Sequence, residues 1–350
     1  MRKPIKISII IPVFNEELYI SDTIDSLLNQ STSYPFEIII VDGISTDSTR
    51  QIVQSKINQN PVDKIKLIDN KNRIVSSGFN IGLSNSKGEI IIRVDGHSKL
   101  DKYYVENCLL VLDEVNADCV GGATEHKSNS LIGSIIAKAQ TSNFGTGGAL
   151  FRKNINQGMY VDTLAFGAYK REVFKKIGGY DEELIRNQDD EFNFRLIQSG
   201  GKIWIDPRIK SFYFNRNSIR KLAKQYFQYG FYKLFVMRKR NGIASIRHII
   251  PGFFVLGLFS SYLLKALNFN QFIFNSLIIS YSLINIVFTI LLLKKSFINL
   301  IYLFLLFFTY FIIHFSYGIG TILGGIYILF SKRSKEIVDT SFDKKNFNIN

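Results

Sequence analysis

Asp95-Gly96-His97 closes an apolar run, Glu89 to Val94, and sets a carboxylate and an imidazole two residues apart where a strand would empty onto a loop. Such a pair can hold a divalent cation against the phosphates of a nucleotide, and imidazole suits Mn2+ better than Mg2+. Alone, Asp95 would read as a turn cap and His97 as an ordinary loop histidine. Two further strand-then-loop units upstream, Ile7 to Glu17 and Phe36 to Thr49, give the pair a context. Downstream lies an acidic cluster, Asp189-Asp190-Glu191. By itself it would be a helix start whose carboxylates favour the macrodipole. Transfer from a phosphate-activated donor has three needs: the donor held, the diphosphate charge offset, and the acceptor hydroxyl deprotonated as it attacks. Asp95 and His97 are the candidate ligands of a Mn2+ or Mg2+ cofactor. Asp189 and Asp190 are the candidate bases.

These residues need elements to hold them. Lys6 to Val13, Phe36 to Val41, Ile65 to Ile68 and Glu89 to Val94 are short apolar runs rich in β-branched residues, as in strands covered on both faces. Between them, helical spacing recurs after Asn15, over Thr46 to Ile57 and over Ile74 to Ser86, and again over Tyr103 to Val115. This alternation predicts an α/β fold with a mostly parallel sheet. In such sheets ligands bind beyond the carboxyl ends of the strands, where Asn15, Glu16, Asp42, Asp95 and His97 fall. From Gly121 to Gly167 the pattern weakens. Gly147 and Gly148 suggest a loop that lets backbone approach a ligand closely. Arg171 to Ile177 and Asp190 to Ser199 read as helices, and Ser218 to Val236 as an amphipathic one, suited to a membrane interface or to packing on the catalytic domain.

The last third is different. His248 to Leu264, Ala266 to Leu293 and Ser296 to Ser331 lack Asp, Glu, Lys and Arg. Each is long enough, or nearly so, for the roughly 17–25 residues of a spanning helix. Phe297 to Phe330 is too long for one straight span and tight for two, and Gly318, Gly320, Gly324 and Gly325 would permit a break or close packing, so three or four spans are expected. The net charge of +14 concentrates before the first span, where Lys202 to Arg247 holds twelve Lys or Arg against one acid, Asp206. A basic collar of this kind fits anionic headgroups and the cytoplasmic side rather than nucleic acid. The pair Lys294-Lys295 and the basic tail from Lys332 both ask for that side. The expected division is a catalytic domain over residues 1–235, in halves 1–120 and 121–235, then transmembrane helices over 236–331 and a polar tail over 332–350. The N-terminal apolar run contains Pro12 and is too short for a signal segment. Cys108 and Cys119 have no ligand spacing and read as small core residues in a reduced compartment.

The segments IIIPVFNEELYI, VDGISTDST, GFNIGLSNSKGEIIIRVDGHS and NQDDEFNFRL, in this order, resemble the inverting glycosyltransferases of family 2, which have the GT-A fold. The membrane tail, RVDGHS and RNSIRKLAKQYFQYG resemble the bacterial branch that assembles succinoglycan-type exopolysaccharide on a lipid carrier. The resemblance runs from about Ile7 to Gly230. It implies that Pro12, Phe14 and Glu16 line a nucleoside pocket and that Asp42 helps hold base or ribose, with Arg73 and Asn80 in the same nucleotide-binding set. Asp95 takes the first position of the family's Asp-X-Asp motif, near ribose and metal, and His97 the third, as direct metal ligand. Asp189 matches the general base. Gln225 and Tyr229 fall near a Gln-X-X-Arg-Trp segment of many members, in the acceptor region with Gly147 and Gly148. The chain departs from the pattern at Gly43, His97 and Gln188, where acidic residues are commoner, and it lacks Gln-X-X-Arg-Trp as such. The implied activity moves a sugar from a nucleotide sugar, a UDP-sugar first among the choices, to a polyprenyl-diphosphate-linked saccharide. The enzyme would be a multi-pass protein of the plasma membrane with its catalytic domain in the cytoplasm. The alternatives are transfer onto polyprenyl phosphate itself, and a non-catalytic scaffold in a polysaccharide assembly complex.

Overall fold

The structure, a computed structural model, describes residues 5–62, 64–128, 130–148, 150–152, 155–214, 218–242, 246–269, 271–293 and 300–330. The pair Lys294-Lys295 and the tail from Lys332 lie outside them. Its contacts group the described residues into two compact units, 5–125 with 150–214, and 126–149 with 215–330. Residues 126–149 thus join the C-terminal helices, a grouping that a linear reading with one boundary at residue 235 does not offer.

The first unit opens with β1 (Ile7–Val13), α1 (Ile20–Leu28), β2 (Phe36–Asp42), α2 (Thr49–Asn58), β3 (Ile65–Asp69), α3 (Val75–Ser84) and β4 (Ile90–Arg93). Then come β5 (Ser98–Leu100), α4 (Tyr104–Glu114) and β6 (Cys119–Gly121), and β7 (Thr124–Lys127) begins in this unit and ends past its boundary at residue 125. The chain passes through α5 (Leu131–Thr141) and α6 (Asn143–Thr146) of the second unit. It then returns as β8 (Met159–Tyr160), β9 (Ala168–Lys170), α7 (Arg171–Ile177), α8 (Gln188–Gln198), β10 (Ile203–Ile205) and β11 (Ser211–Phe214). The main sheet has the order β3-β2-β1-β4-β9-β6-β10-β8, and a smaller one the order β5-β11-β7.

The first four strands run parallel, with Ile9 opposite Ile38 and Ile92. Strand β9 is antiparallel to β4 and β6, so the sheet is mixed towards that edge. The β-branched runs explain this layer. In β1, Ile7, Ile9, Ile11 and Val13 enter one core and Ile10 the other; in β2, Ile38 and Ile40 oppose Ile39 and Val41. Alternating side chains that are apolar on both faces require cover on both faces. Each fully buried Ile contributes roughly 1.5–3 kcal/mol relative to exposure. The result is an α/β fold of GT-A type, whose β1, β2 and β4 open their carboxyl ends together. Cys108 and Cys119 are buried free thiols in this core.

The second unit is helical. After α5 and α6 it continues with α9 (Ile219–Lys239), α10 (Ile250–Ala266), α11 (Gln271–Leu293) and α12 (Leu300–Phe330). Three helices, Ile246–Ala266, Gln271–Leu293 and Leu300–Phe330, are long and apolar enough to cross a membrane. The glycines of α12 do not break it. Its 31 residues form one helix of about 46 Å, longer than the roughly 30 Å hydrocarbon core. Instead they admit neighbours: a Cβ on Gly320 would lie 2.1 Å from the Phe227 carbonyl oxygen, and one on Gly318 2.3 Å from that of Pro251. Helix α9 therefore packs along α12. Helix α5 joins them through Ile135, Ile136 and Ala139, against Leu306, Tyr310 and Ile313.

Candidate active site

The site is built at the carboxyl ends of β1, β2 and β4. Beyond β1, Phe14 is 43% exposed and Asn15 adopts a left-handed backbone, φ 55°. That turn is zipped to the loop after β2: Asn15 Oδ1 accepts from Thr46 N at 2.8 Å, and Thr49 Oγ1 accepts from Glu16 N at 2.8 Å. The polar run Ser45 to Thr49 thus supplies hydroxyls that fix the β1 loop.

Asp42 ends β2 fully buried. Its carboxylate accepts from Ser45 N and Oγ and from Arg50 Nη1, at 3.0, 2.5 and 2.7 Å. Arg50 also reaches Asp69 at 2.8 Å. Asp42, expected to help hold base or ribose, thus stands at the carboxyl end of β2 with both oxygens engaged by the loop that follows. Asn80, expected in the same nucleotide-binding set, is engaged within the fold. Its amide donates to the Tyr180 carbonyl and to Glu182 and accepts from Tyr180 N, each at 2.8 Å, which makes it a clamp on the 180–182 turn. Arg73 is exposed just beyond β3, with φ 59°.

His97 is held from two sides. Nδ1 lies 2.8 Å from Glu16 Oε1, and Nε2 lies 2.9 Å from the Tyr213 hydroxyl. With Glu16 ionised, Nδ1–H donates and Nε2 accepts from Tyr213, whose ring meets the imidazole edge-on at 4.9 Å. Strand β11 delivers Tyr213 through its pairing with Ser98 of β5.

Arg93 is the centre of the charge pattern, although it stands at the end of an otherwise apolar strand. It is 6% exposed. Nη2 meets Asp95 Oδ1 at 2.5 Å, and Nη1 meets Asp189 Oδ2 at 3.6 Å and the Ala165 carbonyl at 3.4 Å. Burial alone would lower its pKa, but Asp95 first, then Tyr180 and Asp189, outweigh burial and hold the guanidinium protonated. One cation therefore joins the two carboxylates singled out for different duties. The signal was available: an arginine closing a strand of isoleucines needs anionic partners.

Asp189 lies in the first turn of α8 and is one-third exposed; its Oδ1 accepts from Asp190 N at 2.9 Å. The Arg93 link reaches Asp189. Glu191 is buried and binds Arg195 at 2.9 Å, which also donates to the carbonyls of Ile177 and Gly179. The acidic cluster thus divides into two half-buried candidate bases, Asp189 and Asp190, and one buried structural carboxylate, Glu191.

Asp95 and His97 are the donors a divalent cation would find here. Among the described residues no three carboxylate, imidazole or thiolate groups converge as a complete cage. Asp95 has Oδ1 on Arg93 and is 25% exposed, and a cation at His97 Nε2 has to displace the Tyr213 hydroxyl. One carboxylate and one imidazole would suit Mn2+ only as a partial donor set.

The residues expected in the acceptor region, Gly147, Gly148, Gln225 and Tyr229, belong to the second unit. Gln225 Nε2 donates to the Tyr229 hydroxyl at 2.9 Å along α9. Gly147 and Gly148 both have positive φ, and a Cβ on Gly147 would meet Arg247 Cβ at 2.8 Å.

The model of glycosyl transferase family 2 matches residues 8–178. A relative from Methanococcus voltae, dolichyl N-acetyl-alpha-D-glucosaminyl phosphate 3-beta-D-2,3-diacetamido-2,3-dideoxy-beta-D-glucuronosyltransferase, is 32% identical over 73% of this chain and 80% of its own length. The chain belongs to glycosyltransferase family 2. It is also similar to the succinoglycan biosynthesis protein ExoA of Rhizobium meliloti (strain 1021), 29% identical over 69% of this chain and 73% of that protein. In fold, it resembles the mannosyltransferase PcManGT from Pyrobaculum calidifontis in complex with GDP-Man and Mn2+, with a TM-score of 0.62 at 16% identity, covering 95% of this chain and 88% of that one. As a family 2 glycosyltransferase, the chain carries its matched segment mostly in the first unit, where Glu16, Arg93, Asp95, His97 and Asp189 lie.

Proposed function

We propose that this glycosyltransferase moves one sugar, with inversion, from a nucleotide sugar to a hydroxyl of a polyprenyl-diphosphate-linked saccharide in polysaccharide synthesis. The donor is a UDP-sugar in the first instance. Pro12, Phe14 and Glu16 line the nucleoside pocket, with Asp42 and Arg50 shaping its wall and Arg73 exposed beyond β3. Asp95 and His97 take the ribose and diphosphate end. A divalent cation held there would act as a Lewis acid toward the leaving diphosphate. Asp189 accepts the proton of the acceptor hydroxyl as its oxygen attacks the anomeric carbon. The bond from that carbon to the donor phosphate breaks on the opposite face, and the diphosphate departs with the electron pair. The protein is multi-pass in the plasma membrane, with the catalytic unit in the cytoplasm.

The observation that carries this reading is Arg93, which ties Asp95 to Asp189 across the mouth of β4. A guanidinium fixed between a donor-side and an acceptor-side carboxylate holds both in one constellation. The dolichyl-linked substrate in the name of the Methanococcus voltae relative and the three apolar helices support a lipid-borne acceptor.

The test is nucleotide release by the full chain in detergent, across UDP-, GDP- and dTDP-sugars with Mn2+, Mg2+ or EDTA, for wild type and Asp95→Ala. Cation-dependent release from one donor class, lost in the variant, supports the reading. No binding of any nucleotide sugar would sink it and promote the scaffold alternative. Turnover onto polyprenyl phosphate with Asp189→Asn fully active would point to transfer onto an already ionised phosphate oxygen.

A further inference from the structure

The basic residues ahead of the first span are not equivalent. Arg208 is held by Asp206 and Glu114, and Arg238 donates from Nη1 to the Ile328 carbonyl at 3.2 Å. Arg220, Lys221 and Lys224 are exposed, and their charged heads have no partner among the described residues. No carboxylate of the second unit can supply one, since its described residues include no Asp or Glu. At about 3.6 residues per turn the three share one face of α9. The opposite face, with Leu222 and Tyr226, is buried in one core with Tyr310 and Ile313 of α12. A Cβ on Gly230 would lie 2.1 Å from the Tyr317 carbonyl oxygen, so α9 is seated closely and its basic face stays outward.

The same side of α9 also carries an apolar groove. Phe231 lies seven residues beyond Lys224, which is two turns on and about 10 Å along the axis. With Leu323, Ile326, Tyr327 and Phe330 of α12 it lines a groove of 490 Å³ whose one polar side-chain group is the Tyr327 hydroxyl. Cations at one end and a hydrocarbon slot at the other match an amphiphile with an anionic head and an acyl tail. The charges say which kind. Three unpaired cations within about 6 Å of axial rise complement a head with net negative charge. A zwitterionic head brings its own ammonium against them.

We infer that this side of α9 and α12 binds an anionic phospholipid of the bilayer, with its phosphate on Arg220, Lys221 and Lys224 and one acyl chain in the groove. The binding is independent of sugar transfer, so it stands or falls apart from the proposed activity.

The experiment uses the full chain in a neutral detergent, titrated with dioleoyl phosphatidylglycerol, dioleoyl phosphatidylcholine or glycerol phosphate, with bound ligand counted by native mass spectrometry. Phosphatidylglycerol is expected to bind saturably and at least about tenfold more tightly than either of the others. Arg220→Gln with Lys221→Gln and Lys224→Gln is expected to weaken it about tenfold or more, to the level of phosphatidylcholine, with the unfolding midpoint unchanged. The control with the same loss of charge, Lys87→Gln with Lys99→Gln and Lys210→Gln on exposed positions of the first unit, is expected to leave it intact. Ile326→Trp, which fills the groove from a half-exposed position, should weaken phosphatidylglycerol about threefold or more, and it decides the matter with the lipid comparison if the α9 variant fails to fold. Phosphatidylcholine binding as tightly as phosphatidylglycerol would overturn the site, and so would equal weakening by the first-unit control, which shows general surface attraction. Unchanged binding in the α9 variant or in Ile326→Trp would do the same. Glycerol phosphate binding as tightly as the lipid would overturn the assignment in favour of a free anion. If no nucleotide sugar is turned over while phosphatidylglycerol still binds and the α9 variant loses it, the transfer reading fails and this one holds.

Discussion

The two units solve the problem of polar groups in opposite ways. The first is laced with charge pairs: Glu37 with Lys66, Asp42 with Arg50, Arg93 with Asp95, Glu191 with Arg195. The second has no Asp or Glu among its described residues. It is joined by close backbone approach at Gly230, Gly318, Gly320 and Gly324, and by neutral hydrogen bonds. His314 shows the second style. It donates from Nε2 to the Phe144 carbonyl at 2.7 Å and accepts at Nδ1 from the Tyr281 hydroxyl at 3.0 Å, so the ring is satisfied without charge. The contrast follows from solvent. A spanning bundle gains nothing from apolar burial against lipid, so contact comes from small residues and neutral hydrogen bonds, and ionised groups are costly there. A sheet in water can bury charge if each carboxylate finds its donors.

The comparison breaks most visibly at the proposed base. Asp189→Asn keeps shape and removes the proton acceptor, and the expected loss is about 10²–10⁴ in kcat for transfer to a saccharide hydroxyl, with donor binding retained. Steady-state transfer with separate nucleotide titration measures it; full activity would remove Asp189 from the chemistry. Next is Arg93→Gln, which leaves Asp95 and Asp189 without their common cation. Turnover is expected to fall about 10–100-fold, with Arg93→Lys recovering only part because one ammonium cannot bridge as a fork does. Rescue to wild-type rate by lysine would reduce Arg93 to a simple charge.

In the second unit the same question is put to packing. Gly230→Val places a side chain where a Cβ would lie 2.1 Å from the Tyr317 carbonyl oxygen. Destabilisation of about 1–3 kcal/mol is expected, read as a lower unfolding midpoint in detergent with UDP binding to the folded protein unchanged. An unaltered midpoint would deny that α9 and α12 are locked by this contact.

Glu37 tests charge in the first unit through pH. Burial pushes its carboxyl up, but Lys66, Ser8 and the Lys87 N–H together take it below the ordinary 4.5. A depressed carboxyl stabilises the fold fully above its unfolded value. That stabilisation is lost as pH falls from 4.5 through the lowered native value. Glu37→Gln is expected to cost about 1–3 kcal/mol at neutral pH and to flatten the acid limb of unfolding. An acid limb identical to wild type would exclude Glu37 as its source. The smallest effect is at Tyr213→Phe, which releases His97 Nε2. Mn2+ affinity is expected to rise about threefold to tenfold, since one competing hydrogen bond of about 1 kcal/mol is removed. Weaker Mn2+ binding would mean that the hydroxyl supports the cation instead.

Much of this was legible in the chain. The isoleucine runs of β1, β2 and β4 predict buried parallel strands, because only a doubly covered layer tolerates apolar side chains on both faces. The motifs then fall at the strand ends, since that is where side chains leave the sheet. Arg93 was not legible as a hub, because a strand position tells a face and not a partner. The partners of Asp42 and Asn80 were not legible either, because Arg50, Tyr180 and Glu182 reach them only in the fold. The α12 glycines left break and close packing both open, and the helices α9 and α10 decided for packing.

What the sequence determined by itself is local and periodic: the strands and helices of the sheet, the apolar helices, the order of the acidic motifs and the basic bias ahead of the spans. Each depends on residues a few positions apart, so spacing carries it. What only the tertiary structure decided is who meets whom across long stretches of chain: Arg93 with Asp189, His97 with Tyr213, and residues 130–148 with the C-terminal helices. Those pairings depend on chain crossings and shared burial, which no local pattern encodes.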